Sequence, residues 1–164
     1  MVAEKEQLTK IFSVSSEYRV LEIMSDESGF ISKLAKNVSE VETIEEDSGM
    51  ACSASWNDLH TKVHNHFVFC GHPYDFLKKK IEEHAKIDII IVNADRLERS
   101  DEIWSLIERL EPRWVLLTYR ENRIGEYNKR LMKAGGFKVV KQDSELNNVV
   151  SKRFCVGCKS RVEQ

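Results

Sequence analysis

Glycine is scarce in this chain, with seven among 164 residues. No G-x-G-x-x-G string and no G-x-x-x-x-G-K string occurs. Neither of the two commonest glycine-built phosphate cradles is therefore present. Long apolar runs are also missing, and none approaches the roughly 18 residues of a membrane span. The opening MVAEKEQLTKIF lacks the apolar centre of a secretory signal. These absences predict a cytoplasmic protein with no membrane partner, in which the four cysteines are reduced. There is no internal repeat, no low-complexity tract and no Gly/Ser/Pro-rich linker to divide the chain.

What is present is the composition of one globular domain, expected to span residues 1–164. The hydrophobic fraction is 41% and the charged fraction 32%. A chain of this length buries a core without needing disulfides. The net charge of −2 hides an asymmetry. Residues 1–112 carry 13 Lys/Arg against 22 Asp/Glu, whereas residues 113–164 carry 12 against 5. A basic C-terminal third could face an anionic partner. Its charges are dispersed rather than run together, which favours solvated helix and strand faces.

Hydrophobic periodicity predicts the elements. Residues 3–13 read as a short helix, 19–24 (RVLEIM) as a buried strand and 29–38 as a helix. Residues 40–45 (EVETIE) alternate like a strand. Residues 48–63 read as a helix facing inward through Met50, Trp56, Leu59 and Val63. Residues 66–70 (HFVFC) make a strand and 74–85 a helix with a basic face. Residues 87–93 (IDIIIVN) are a buried strand. Residues 100–110 are a helix with Ser100 as N-cap and Asp101 and Glu102 in the first turn, where the helix dipole favours negative charge. Pro112 stops it. Residues 113–119 (RWVLLTY) are a strand, 123–134 a helix ended by Gly135-Gly136, and 137–142 and 149–156 two closing strands. Alternating apolar strands and helices imply a mostly parallel sheet covered on both faces. The last two strands, joined by the short turn DSELNN, must pair antiparallel.

This order resembles the class I S-adenosylmethionine-dependent methyltransferases over nearly the whole chain. The resemblance rests on the order and on local stretches: VLEIMSDESGF at 20–30, VETIEED at 41–47, FVFCGHPYDF at 67–76, IDIIIVNADR at 87–96 and MKAGGFKVV at 132–140. The last is similar to the family's turn into the penultimate strand. The resemblance implies a Rossmann-like three-layer α/β sandwich, its mostly parallel seven-stranded sheet ending in an antiparallel hairpin. It also implies S-adenosylmethionine as cofactor. Glu22 would be the acid closing the first strand, with Ser25 and Gly29 in the loop after it. Glu45, or Glu46 one residue on, would hold the ribose hydroxyls. Gly71 and His72, with Cys70, would lie beside the adenine. Asn93 and Asp95 would face the acceptor, and His72 and Tyr119 stand at strand ends as further candidates. Ligands of such sheets bind at the carboxyl ends of the strands, which is where these residues fall.

The departures are specific. Met24 stands where the family has its first loop glycine, and Asp26 near the second. Those glycines let the backbone approach the cofactor and adopt positive φ. The Asn-Pro-Pro-aromatic motif of amino-group methylating enzymes is absent at 93–95. There is no substrate-binding domain or long lid, so a large acceptor, such as a macromolecule, or a partner would have to complete the site. An exposed sheet edge or an apolar helix face leaves room for a homodimer.

Cys155-Val-Gly-Cys158 is a C-x-x-C pair. Zinc normally needs a second pair or histidines at metal spacing. His60, His64, His66, Cys70 and His72 would have to supply them. The pair reads more simply as a hairpin strand, and no metal is assigned. Two readings of function stay open: a methyltransferase acting on an unidentified acceptor, or a protein that kept the fold, lost the loop and serves as a binding or scaffold module.

Overall fold

Apolar strands alternating with amphipathic helices can be buried only if helices cover both faces of the sheet. A computed structural model shows how this chain meets that need, and describes residues 16–24, 30–93, 96–97, 101–119, 138–143 and 153–158. In chain order the elements are β1 (Arg19–Ile23), α1 (Phe30–Ala35), β2 (Glu40–Glu45), α2 (Ser48–Thr61), β3 (His66–Cys70), α3 (Pro73–Glu82), β4 (Ile89–Asn93), α4 (Asp101–Arg109), β5 (Trp114–Tyr119), β6 (Lys138–Asp143) and β7 (Arg153–Cys158).

The strands lie in the order β3-β2-β1-β4-β5-β7-β6. β1 to β5 are parallel. β7 runs antiparallel to both β5 and β6. The chain builds outward from β1 to β3, then returns to place β4 on the other side of β1. In open parallel sheets such a reversal of strand order is where the ligand crevice lies, here at the carboxyl edge between β1 and β4.

Strand alternation sorts the core into two layers. Leu21, Ile23, Ile44, Ile90, Val92, Val115 and Leu117 pack with Leu77 of α3 and Ile103, Trp104, Leu106 and Ile107 of α4. Val20, Val41, Ile89, Ile91 and Leu116 pack on the other face with Ile31, Leu34 and Ala35 of α1 and with Val63 beyond α2. Among the described residues no helix is long and apolar enough to cross a membrane.

Caps account for several boundaries. Asp47 precedes α2 and its Oδ1 accepts from the Met50 amide at 3.0 Å. His72 caps α3, and Pro73 takes the first helical position, where a missing N–H costs nothing. α1 stops at Ala35, earlier than the periodicity of 29–38 predicts. Asn65 explains the stop: its amide nitrogen lies within hydrogen-bonding reach of the carbonyls of Ala35, Val38 and Ser39, at 2.7, 3.0 and 3.2 Å.

One predicted face is wrong. α2 turns Ala51 and Asp58 inward, while Trp56 is 62% exposed and Leu59 74% exposed. Its apolar residues are too few and too scattered to form a stripe, so the polar partners of Asp58 decide its orientation. β7 is described over Arg153–Cys158, and residues 149–152 of the predicted strand lie outside the described residues. The predicted helices at 3–13 and 123–134, the Gly135-Gly136 cap and the Ser100 cap lie outside the described residues.

Candidate functional site at the carboxyl edge

Register brings the candidate residues together. Ile23 of β1 pairs with Ile44 of β2 and with Val92 of β4. One step further, the backbone at Met24 is flanked by Glu45 on one side and Asn93 on the other. Glu45 pairs with Cys70, and Asn93 with Thr118. Glu22, Thr43, Glu45 and Asn93 continue the face that carries Val20, Val41, Ile89 and Ile91, so each strand turns from apolar to polar on one side as it reaches this edge.

Met24 has φ 65°, in the left-handed region. That conformation costs an L-residue roughly 1–2 kcal/mol, and glycine is the usual occupant. The chain keeps the loop's entry geometry without the glycine. Two contacts hold it: the Met24 amide donates to the Ile44 carbonyl at 2.9 Å, and the side chain is buried at 4% exposure in the α3/α4 core layer.

Glu45 is 0% exposed, and its carboxylate is held on both oxygens. Arg96 donates to Oε2 through one terminal nitrogen at 2.5 Å and to Oε1 through the other at 2.6 Å. The Asp47 amide donates to Oε1 at 2.9 Å. A two-pronged guanidinium–carboxylate contact is among the strongest pairings available to side chains. The hydrogen bond to Glu45 is the main influence holding the Arg96 guanidinium above its ordinary pKa; the charges of Glu45, Asp47 and Glu46 add to it, and partial burial opposes it. Arg96 lies three residues beyond the end of β4. It reaches β2 across the carboxyl end of β1, and so crosses the crevice.

Glu22 is buried and enters a polar chain that runs into the α1/α2 layer. Thr43 donates its hydroxyl to Glu22 Oε1 at 2.9 Å. That uses its one proton, so His66 Nε2, 2.7 Å from the same oxygen, is the donor to Thr43. His66 Nδ1 lies 2.9 Å from Asp58, which also accepts from the Ser32 hydroxyl at 3.1 Å. Four residues, from β2, β3, α2 and α1, thus fix the Glu22 carboxylate of β1.

The remaining candidates fall at the rim. Gly71 donates its amide to the Glu45 carbonyl at 3.0 Å. His72 accepts from the Tyr74 amide through Nδ1 at 3.1 Å, and its Nε2 lies 3.2 Å from Glu46 Oε1. Both His72 and Glu46 are exposed, so Glu45 and not Glu46 is the inward acid of β2. Asn93 is buried at the end of β4. Ser25, Gly29 and Asp95 lie outside the described residues, as does the Tyr119 side chain. Arg96, Thr43, His66, Asp58 and Ser32 were not singled out for this site from sequence. An arginine just beyond a strand-end Asn was the available signal for Arg96. The relay carried none, because its members are far apart along the chain.

Strand order separates the two halves of the suggested zinc set. His66 and Cys70 lie on β3, Cys155 and Cys158 on β7, five strand spacings away. At about 4.8 Å per spacing that is roughly 24 Å, far beyond the reach of one ion. Among the described residues no three His, Cys, Asp or Glu gather to hold a metal.

The sequence matches no protein-family model and no curated protein. Its structure is similar to solved ones. An S-adenosylmethionine-dependent methyltransferase from Aquifex aeolicus superposes with a TM-score of 0.69 at 14% identity, over 94% of this chain and 88% of the other. YcgJ from Bacillus subtilis superposes with a TM-score of 0.66 at 12% identity, over 97% and 99%. A Streptococcus mutans protein assigned to the same methyltransferases gives 0.70 at 13% identity over 96% of this chain, which spans 48% of its length. The five parallel strands with helices on both faces are thus the Rossmann-like α/β fold that these solved structures share.

Proposed function

We propose that this chain binds S-adenosylmethionine in the crevice at the carboxyl edge of β1, β2 and β4 and transfers its methyl group to an acceptor. The observation that carries the reading is Glu45: a fully buried carboxylate ending β2, level with the left-handed Met24 backbone and with Asn93. The donor set fits the nucleoside half of the cofactor. Glu45 is the acceptor for two ribose hydroxyls. Glu22, fixed by Thr43, supports the loop at the methionine end. Gly71 and His72 border the adenine side, with Ser25 and Gly29 in the loop. One structural neighbour, the methyltransferase SMU.776, was solved with S-adenosylhomocysteine bound.

When bound, the cofactor supplies a methyl group on a positively charged sulfur. The protein's task is to align an acceptor with it and exclude water. Asn93, at the end of β4, and Asp95, two residues on in the sequence, would orient the acceptor. No residue is assigned as general base.

A second reading has its own observation. Arg96 holds the carboxylate that the ribose needs, and a methionine replaces the first loop glycine. Both suit a methyltransferase-fold protein serving as a binding or scaffold module. Calorimetric titration with S-adenosylmethionine and S-adenosylhomocysteine separates the two. The methyltransferase reading expects micromolar binding by the native chain and its loss in Glu45→Ala. Absence of binding at millimolar ligand leaves the scaffold reading.

A further inference from the structure

The Arg96–Glu45 pair does not behave like an ordinary surface ion pair. Its two members differ in access to water. Glu45 is 0% exposed, whereas the Arg96 side chain is 25% exposed. Glu45 sits on a strand in the interior of the sheet, with β1 on one side and β3 on the other. Arg96 lies beyond the end of β4, at the far end of a long side chain. If the pair opens, Arg96 is the member that moves.

It also has somewhere to go. Glu46 and Asp47 follow Glu45 directly, both are exposed, and both add to the electrostatic hold on Arg96. A guanidinium that releases Glu45 stays beside two solvated carboxylates. Glu45, by contrast, is fully buried and needs donors in place of Arg96 once it leaves. Two adjacent hydroxyls of a ribose are such donors.

Both ligands cannot be held at once. Each Glu45 oxygen already accepts from Arg96, Oε1 also accepts from Asp47, and no part of the residue is open to solvent. Arg96 also spans from β4 to β2, across the part of the crevice a nucleoside must enter.

We propose that Arg96 is a built-in occupant of the hydroxyl-binding carboxylate, a strap closing the crevice, which a nucleoside carrying a free ribose diol must displace from Glu45 onto Glu46 and Asp47. The strap rests on the binding reading above. It sets a low affinity in the isolated chain, since binding is weakened by the fraction of molecules that are closed. Any partner that draws Arg96 away would raise the affinity by the same coupling.

The test is calorimetric titration of the full chain with S-adenosylhomocysteine and with adenosine, for the native protein, Arg96→Gln, Glu45→Gln and the double variant. Far-UV circular dichroism confirms folding first. The strap predicts that Arg96→Gln binds both ligands about tenfold more tightly, a change equivalent to about 1.4 kcal/mol. It predicts no such gain in the double variant, where the carboxylate is gone. Arg96→Lys keeps the counter-charge but not the two-pronged grip. If the glutamine variant does not fold, the lysine variant should show a smaller gain, and unchanged affinity there overturns the strap. Native and Arg96→Gln proteins of equal affinity overturn the strap but leave cofactor binding standing. Weaker binding by Arg96→Gln does the same, and makes Arg96 a ligand contact. Failure of both to bind at millimolar ligand overturns the strap and the cofactor reading together.

Discussion

Replacing Met24 by alanine and by glycine tests how the loop's shape survives without its glycine. In most folded positions alanine is the more stable of the two by about 0.5–1 kcal/mol, because glycine loses more chain entropy on folding. At φ 65° the order should reverse. Both variants lose a side chain buried against the α3/α4 layer, and truncating a buried methionine costs about 2–5 kcal/mol. Alanine keeps the left-handed penalty of roughly 1–2 kcal/mol, and glycine removes it. Net, Met24→Gly should be the more stable of the pair by about 0.5–1 kcal/mol, though both fall below the native protein. For a chain of this length 1 kcal/mol corresponds to about 2–4 °C in Tm. Thermal melts and urea titrations of the three proteins measure it. An alanine variant as stable as the glycine variant, or more so, would refute the claim that the backbone at 24 is held in a glycine-like conformation. Native-like stability in both would refute the claim that the methionine side chain holds it there.

Two further predictions concern buried polar groups. Asp58→Ala removes the hydrogen-bond partner of both His66 and Ser32 and should cost about 2–4 kcal/mol in urea denaturation, since buried polar groups are left unpaired. Its neighbour Leu59→Ser should stay within about 0.5 kcal/mol of native, because that side chain faces solvent; a large loss there would restore the inward face that periodicity predicts. On the opposite side of the sheet, Lys80 Nζ lies 2.7 Å from Glu42 Oε1, and Glu42 Oε2 is buried without a hydrogen-bond partner. Lys80→Met should therefore cost about 3–5 kcal/mol at neutral pH, and adding Glu42→Gln should recover most of it; a melt showing no recovery would mean that packing of the lysine stem, not its charge, is what was lost.

Much of the fold was legible in the sequence, because strand burial is written in local composition. IIIVN and WVLLTY have no polar face to expose and must lie inside a sheet. EVETIE was bounded correctly at both ends, its alternation giving two faces. Asp47 and Pro73 mark helix starts through chemistry confined to one turn. Glu22 and Glu45 could be placed near the carboxyl ends of β1 and β2 because those two strands were legible in the sequence. α2 shows the limit. Its sequence offered Trp56 and Leu59 as an inward face, but a short polar network outweighed them.

The sequence by itself determined the described strands and the helices between them, the parallel sheet and the edge at which Glu22, Glu45, Gly71 and Asn93 gather. All of these follow from side-chain polarity read within a few residues. Tertiary structure alone decided three things. It placed Arg96 on Glu45, 51 residues apart along the chain. It threaded Glu22, Thr43, His66, Asp58 and Ser32 into one relay. It put His66 and Cys70 of β3 five strand spacings from the Cys155/Cys158 pair of β7. Each depends on strand order and register, which bring distant residues together or hold them apart. Hydrogen bonds and ion pairs act only over a few ångströms, so no local pattern could encode which of them form.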